Sequence, residues 1–177
     1  MFALLVAAYV IVLDQVTKEW IRAALGLHES IPVWESCFHV TYVKNTGAAW
    51  GMFSGQNLVL IALAAAMLVA MTWFRRRIFP RGMLGRLAYG LLAGGIAGNL
   101  LDRLRLDFVT DYLDFHVGGW HWPAFNVADA AITLGVMLFM GLTLWNDIRA
   151  DRKAKGTDSA SADGAPFLWM RPRPEAS

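Results

Sequence analysis

The stretch from Phe108 to Gly135, FVTDYLDFHVGGWHWPAFNVADAAITLG, carries carboxylates at Asp111, Asp114 and Asp129 around an aromatic loop. Asp129 opens a long apolar run, and an aspartate at the centre of a membrane-spanning helix costs about 2.5–3.5 kcal/mol on insertion scales. A chain that keeps such groups beside hydrophobic helices is expected to use them. Two carboxylates held close together cannot both ionise cheaply, so they share a proton. One then draws a proton from water while the other protonates a carbonyl or a leaving group. Asp111 and Asp129 are the expected pair, although eighteen residues of separation do not by themselves make two groups meet.

Other constellations are weaker. His116 and His121 with Asp114 offer ligand atoms, but their spacing matches no common metal motif, so neither metal nor cofactor is expected. Cys37 is the single cysteine, which excludes an internal disulfide and a CxxC cluster, and it lies in a strand pattern with no evident partner base. No phosphate-binding glycine loop or nucleic-acid motif occurs.

The elements that must position the pair are hydrophobic. Of 177 residues, 56% are hydrophobic and only 17% charged, against about a quarter charged in a soluble domain. The deficit is concentrated in a few long runs, which predicts a membrane protein, mainly α, built as a four-transmembrane-helix bundle with a small extracytoplasmic β-strand subdomain. Spans are expected at about 2–25, 57–74, 87–104 and 127–145. No Lys or Arg precedes the first run, so it reads as a retained span rather than a cleaved signal peptide. Within it Asp14 and Lys18 lie at i, i+4, on one face, where they can pair. The third span repeats Gly90, Gly94 and Gly98, a spacing that admits a neighbouring helix closely. Gly95, Asn99 and Arg103 share an adjacent face, either as a structural clamp or as the lining of a polar cavity. In the fourth, Asn126, Asp129 and Thr133 fall on one stripe.

Between the first two spans, SCFHVTYV alternates with period two, as a half-buried strand does. The turn NTGAAWGMF follows, with Asn45 as either a turn-former or a functional group. Arg75, Arg76, Arg77, Arg81 and Arg86 follow the second span, and a basic tail follows the fourth. The positive-inside rule then places both termini in the cytoplasm and loops 26–56 and 105–126 outside. Trp34, Trp50, Trp120 and Trp122 fall in those outer loops, as an interfacial aromatic belt would. Residues 1–148 form the expected membrane domain, and the polar 149–177 an expected disordered, cytoplasmic tail.

Five boxes carry a resemblance over roughly residues 1–148: D14-x3-K18, NTGAAWG at 45–51, GGIAGNLLDR at 94–103, VTDYLDF at 109–115 and PAFNVADAAITLG at 123–135. In this order, on four spans, they resemble lipoprotein signal peptidase (signal peptidase II). The resemblance implies an aspartic endopeptidase with Asp111 and Asp129 as its dyad. Asp14, Lys18, Asn45, Asn99, Arg103 and Asn126 match the family's other polar positions, as structural or substrate-orienting groups, and Asp114 matches a frequent position outside the dyad. It implies cleavage of diacylglyceryl-modified bacterial prolipoproteins before the lipidated cysteine, at the outer face of the inner membrane. The implied partners are those prolipoproteins and membrane lipid, with the enzyme a monomer. Trp50, Thr110 and Tyr112 depart from the more usual Phe, Val and Phe. A proton-coupled small membrane transporter is the main alternative and would need its carboxylates at mid-membrane depth; a non-catalytic scaffold would tolerate the loss of either aspartate.

Overall fold

The computed structural model describes residues 1–47 and 52–163, with side chains to Arg152. Trp50 and the last part of the tail lie outside the described residues. Five helices and four strands follow one another: α1 (Phe2–Ala24), β1 (Ser30–Trp34), β2 (Phe38–Asn45), α2 (Asn57–Trp73), α3 (Arg75–Ile78), α4 (Met83–Leu106), β3 (Val109–Val117), β4 (Trp120–His121) and α5 (Val127–Asp163). The strands form one antiparallel sheet in the order β1-β2-β3-β4.

The helices are arranged inside out relative to a soluble bundle. Large apolar side chains such as Leu4, Tyr9, Leu58, Met67, Leu104 and Met137 point outward, whereas Asp14, Lys18, Asn99, Asp102 and Asn126 are buried. That distribution has a consequence for hydropathy. Among the described residues one helix, Val127–Arg152, is long and apolar enough by composition to cross a membrane, with Asn57–Trp73 apolar but shorter. Helices α1 and α4 have the length, 23 and 24 residues, but carry the buried polar cluster and a set of arginines and so do not read as apolar spans.

The glycine repeat of α4 acts as its spacing suggests. A Cβ on Gly94 would stand 2.8 Å from the Ala7 carbonyl oxygen of α1, and one on Gly95 would collide with the Ala128 carbonyl oxygen of α5. Two helices thus approach α4 backbone to backbone on adjacent faces. Gly95→Ala is expected to destabilise the fold by about 1–3 kcal/mol, the usual range for overpacking. Thermal unfolding in detergent measures it, and an unchanged midpoint would mean that α4 and α5 are not in contact there.

Two apolar clusters flank the buried polar groups. Ala3, Phe79, Ala88, Tyr89 and Leu92 pack at one end, and Ile21, Leu25, Tyr42 and Tyr112 join α1 to the sheet at the other. Within the sheet, β2 and β3 pair as Val40↔Leu113 and then as Val43↔Asp111, so β2 contains one more residue than its partner between these points. This is a β-bulge.

Loop 105–126 contains β3 and β4, and the alternation of Val109, Asp111, Leu113 and Phe115 with Thr110, Tyr112 and Asp114 is the period-two signal behind β3. The last helix, Val127–Asp163, runs on past residue 145, where the expected span ends. No proline follows Trp145 before Pro166, and Ala, Arg and Lys, which favour helix, recur in this stretch, so the chain can continue where no apolar face demands it. Arg149 lies over the Trp145 ring at 4.9 Å in this part.

Candidate active site

Asp111 lies in β3 and Asp129 in the first turn of α5, and both line one cavity of about 1240 Å³ with Asn45, Asn99 and Arg103. The cavity walls are mostly apolar and include Phe115, Trp120, Trp122 and Phe125. Asp111 and Asp129 are also linked through amides. Asn126 Nδ2 donates to Asp111 Oδ1 at 2.7 Å, and its backbone N–H donates to Asp129 Oδ2 at 3.2 Å. Asn99 Nδ2 donates to Asp129 Oδ1 at 2.7 Å, and Asn126 Nδ2 lies 3.1 Å from Asn99 Oδ1.

Local sequence explains why these groups sit where they do. Asn126 is the residue before α5, and its Oδ1 accepts the Asp129 N–H at 3.0 Å while its own N–H reaches the Asp129 carboxylate. This reciprocal pair is a capping box with asparagine and aspartate in the two roles, and it fixes Asp129 to the helix start. Asn45 has two jobs that the sequence left as alternatives. Its Oδ1 accepts the Gly47 N–H at 2.9 Å, closing a turn, and its Nδ2 donates to Asp111 Oδ2 at 2.9 Å. Arg103 reaches the same turn, with NH2 donating to the Gly47 carbonyl at 2.8 Å.

Asp14 and Lys18 do pair, at 2.8 Å, but they are not self-contained. Lys18 Nζ also meets Asp102 at 3.2 Å and donates to Asn99 Oδ1 at 2.9 Å. Asp14 Oδ1 accepts the Ala128 N–H at 3.0 Å. The ion cluster therefore holds both Asn99 and the start of α5, one residue from Asp129. It supports the pair without lining the cavity.

Sequence reasoning passed over two members of this cluster. Asp102 is fully buried; it faces Lys18 and accepts the Thr110 N–H at 3.0 Å, which ties α4 to the start of β3. Gln15 Nε2 donates to Asp102 Oδ1 at 3.0 Å. A signal for Asp102 existed: it falls three residues after Asn99, on the same side of α4. Two of the departures from the family pattern add hydroxyls, and each has a partner. Thr110 Oγ1 accepts from Arg22 at 2.6 Å, and the Tyr112 hydroxyl donates to Thr17 Oγ1 at 2.8 Å.

The electrostatics at Asp111 suit a proton carrier. Burial, and after it the negative charge of Asp129, pushes its carboxyl from 3.8 up to about 7, against the opposing hydrogen bonds from Asn45 and Asn126 and the charge of Lys18. A carboxyl with that pKa holds or releases a proton near neutrality, as acid–base catalysis requires.

The family model for signal peptidase (SPase) II matches residues 6–145. The chain is 43% identical to a lipoprotein signal peptidase of Syntrophotalea carbinolica over 147 residues, covering 81% of this chain and 91% of that one. It is 40% identical over 154 residues to a lipoprotein signal peptidase of Desulforapulum autotrophicum, covering 81% and 92%. Among solved structures it is similar to a bacterial membrane enzyme determined by the in meso method at 2.3 Å resolution, with TM-score 0.76 and 31% identity over 82% of this chain and 88% of that one. A second bacterial membrane enzyme, determined by the same method at 1.9 Å, gives TM-score 0.73 and 32% identity, covering 80% and 92%.

Proposed function

The chain belongs to the signal peptidase II family, and from that premise we propose that it is an aspartic endopeptidase in which Asp111 and Asp129 perform the cleavage. As a lipoprotein signal peptidase of the membrane, it removes the signal peptide from prolipoproteins. The finer reading places the cut before the diacylglyceryl-modified cysteine, at the outer face of the inner membrane. The observation that carries the aspartyl assignment is the convergence of Asp111 and Asp129 on one cavity, cross-linked by Asn99 and Asn126.

The chemistry follows from one proton shared by two carboxylates. The ionised aspartate removes a proton from water as the water oxygen attacks the scissile carbonyl carbon. The protonated aspartate gives its proton to the carbonyl oxygen. A proton then passes to the amide nitrogen, the C–N bond breaks, and the pair is left with one proton again. Asn99, Asn126 and Asn45 hold the carboxylates, and Arg103 holds the turn at Gly47. The apolar cavity walls suit a substrate whose acyl chains remain in lipid while its peptide crosses the pair.

Four spans, formed by α1, α2, α4 and the first part of α5, fit the outward-facing apolar side chains on each of these helices. The arginines from Arg75 to Arg86 support a cytoplasmic α2–α4 connection and, with it, cytoplasmic termini. In this topology the sheet and the cavity lie outside. The enzyme acts as a monomer that carries its whole site in one chain, and membrane lipid is its solvent. The transporter alternative finds no support, since the family to which the chain belongs is one of peptidases.

The test is cleavage of a diacylglyceryl-modified prolipoprotein by the purified protein in detergent, with and without EDTA, followed across pH. Asp111 has a folded-state pKa raised above its unfolded value. Its contribution to stability is therefore complete below about 4 and lost as pH rises through about 7. Activity needs the same proton, so kcat/KM is expected to fall tenfold per pH unit above about 7. A rate that stays flat through that limb would sink the shared-proton reading, and no cleavage of any lipidated substrate would sink the assignment as a whole.

A further inference from the structure

On the sheet face opposite the cavity, Asp114, His116 and His121 converge, each offering one ligand atom, with all three atoms within 4.8 Å of one another. The pleat produces this arrangement. Asp111 and Phe115 of β3 face the cavity, so Asp114 and His116 alternate to the other side, and His121 of β4 stands opposite His116 in register. The two imidazoles stack with centroids 5.2 Å apart.

The hydrogen bonds leave the cluster short of a cation. His116 Nε2 lies 3.3 Å from the Glu35 carbonyl oxygen, which can only accept, so in the neutral ring Nε2 is the donor and Nδ1 the nitrogen left to accept or ligate. Nδ1 is buried, and among the described residues no hydrogen-bond partner meets it. His39, edge-on to His116 at 4.4 Å, likewise has a buried Nε2 with no such partner. Asp114 is oriented from behind, as ligating carboxylates are: its Oδ2 accepts the Thr41 hydroxyl at 3.1 Å, leaving Oδ1 3.6 Å from His121 Nδ1.

We propose that Asp114, His116 and His121 form a zinc(II) site, with His39 the nearest further imidazole. Two imidazoles and a carboxylate are a ligand set that zinc takes with a fourth position open. Tetrahedral bonds of about 2.0–2.1 Å place ligand atoms about 3.3–3.4 Å apart, so the cluster must contract. The partner with room to shift is His121, exposed on a two-residue strand that follows the Gly118–Gly119 turn, where both φ angles are positive. The site faces away from Asp111 and Asp129, so the ion takes no part in the cleavage. His121 stands between Trp120 and Trp122, which line the cavity on the other face, so a bound ion fastens that tryptophan-bearing segment to β3.

Untagged full-length protein in detergent, stripped with a chelator and titrated with zinc chloride against a chromogenic competitor, tests the site. The expected result is one zinc bound per chain, with affinity lowered about 100-fold or more in His121→Ala and in Asp114→Asn, and about tenfold in Thr41→Val. His28→Ala, which changes the one histidine outside this face, should bind like wild type. Circular dichroism of each variant checks that it is folded; His121 is exposed, so its variant decides the matter even if Asp114→Asn misfolds. No stoichiometric zinc, or equal affinity in wild type and His121→Ala, would overturn the proposal, as would a loss in His28→Ala equal to that in His121→Ala.

Discussion

Asparagine at position 111 or 129 is expected to lower the cleavage rate by on the order of 10²–10⁴-fold while leaving the protein folded. The amide preserves the shape of the carboxyl but can neither take a proton from water nor hold one for the leaving group. The two variants should be about equally impaired, and the double variant little worse than either, because groups that act as a unit lose their function together. The partners argue for retained folding: Asn45 and Asn126 donate to Asp111, and an asparagine there still offers one acceptor oxygen. Single-turnover cleavage of a lipidated prolipoprotein, with melting curves for each variant, provides the measurement. Two folded variants that both still cleave at the wild-type rate would remove the aspartyl pair from the mechanism.

The largest effect on stability is expected at Lys18. Its ammonium is fully buried between Asp14 and Asp102, with Asn99 as its third partner. Lys18→Met preserves most of the volume but leaves two carboxylates buried side by side without a cation. Breaking a buried ion cluster by removing one partner costs about 3–5 kcal/mol. The loss should spread to activity, since Lys18 holds Asn99, and Asn99 holds Asp129. Denaturation in detergent reads the first effect, and kcat/KM at a temperature where the variant is folded reads the second. A Lys18→Met protein as stable as wild type would mean that water reaches the cluster.

Much of this arrangement is legible in the chain. The i, i+4 spacing of Asp14 and Lys18, the glycine ladder of α4 and the Asn126-x-x-Asp129 box each state a local geometry that the structure contains. Asp102 was less visible because its role depends on Thr110, whose N–H reaches it only once β3 has paired and packed on α4. The same holds for the Asp114–His116–His121 cluster. Its irregular spacing along the chain becomes a compact set only through the β3–β4 register. Length and apolarity likewise fail for α1 and α4, since a hydropathy window averages over a helix and cannot separate a polar interior face from an apolar outer one.

The extra residue of β2 has a consequence best put as parity. His39 and Asn45 are six positions apart, an even number, and in an unbroken strand they would point to the same side. Between them the register with β3 slips by one, and this turns the remainder of the strand over: His39 lies opposite Asp114, whereas Asn45 reaches Asp111 on the other face. One short strand thereby serves two chemically separate surfaces. A change in its length by a single residue would therefore not shift Asn45 along the sheet but exchange inside for outside. Asp111 would lose a donor while every residue of the site remained in the sequence.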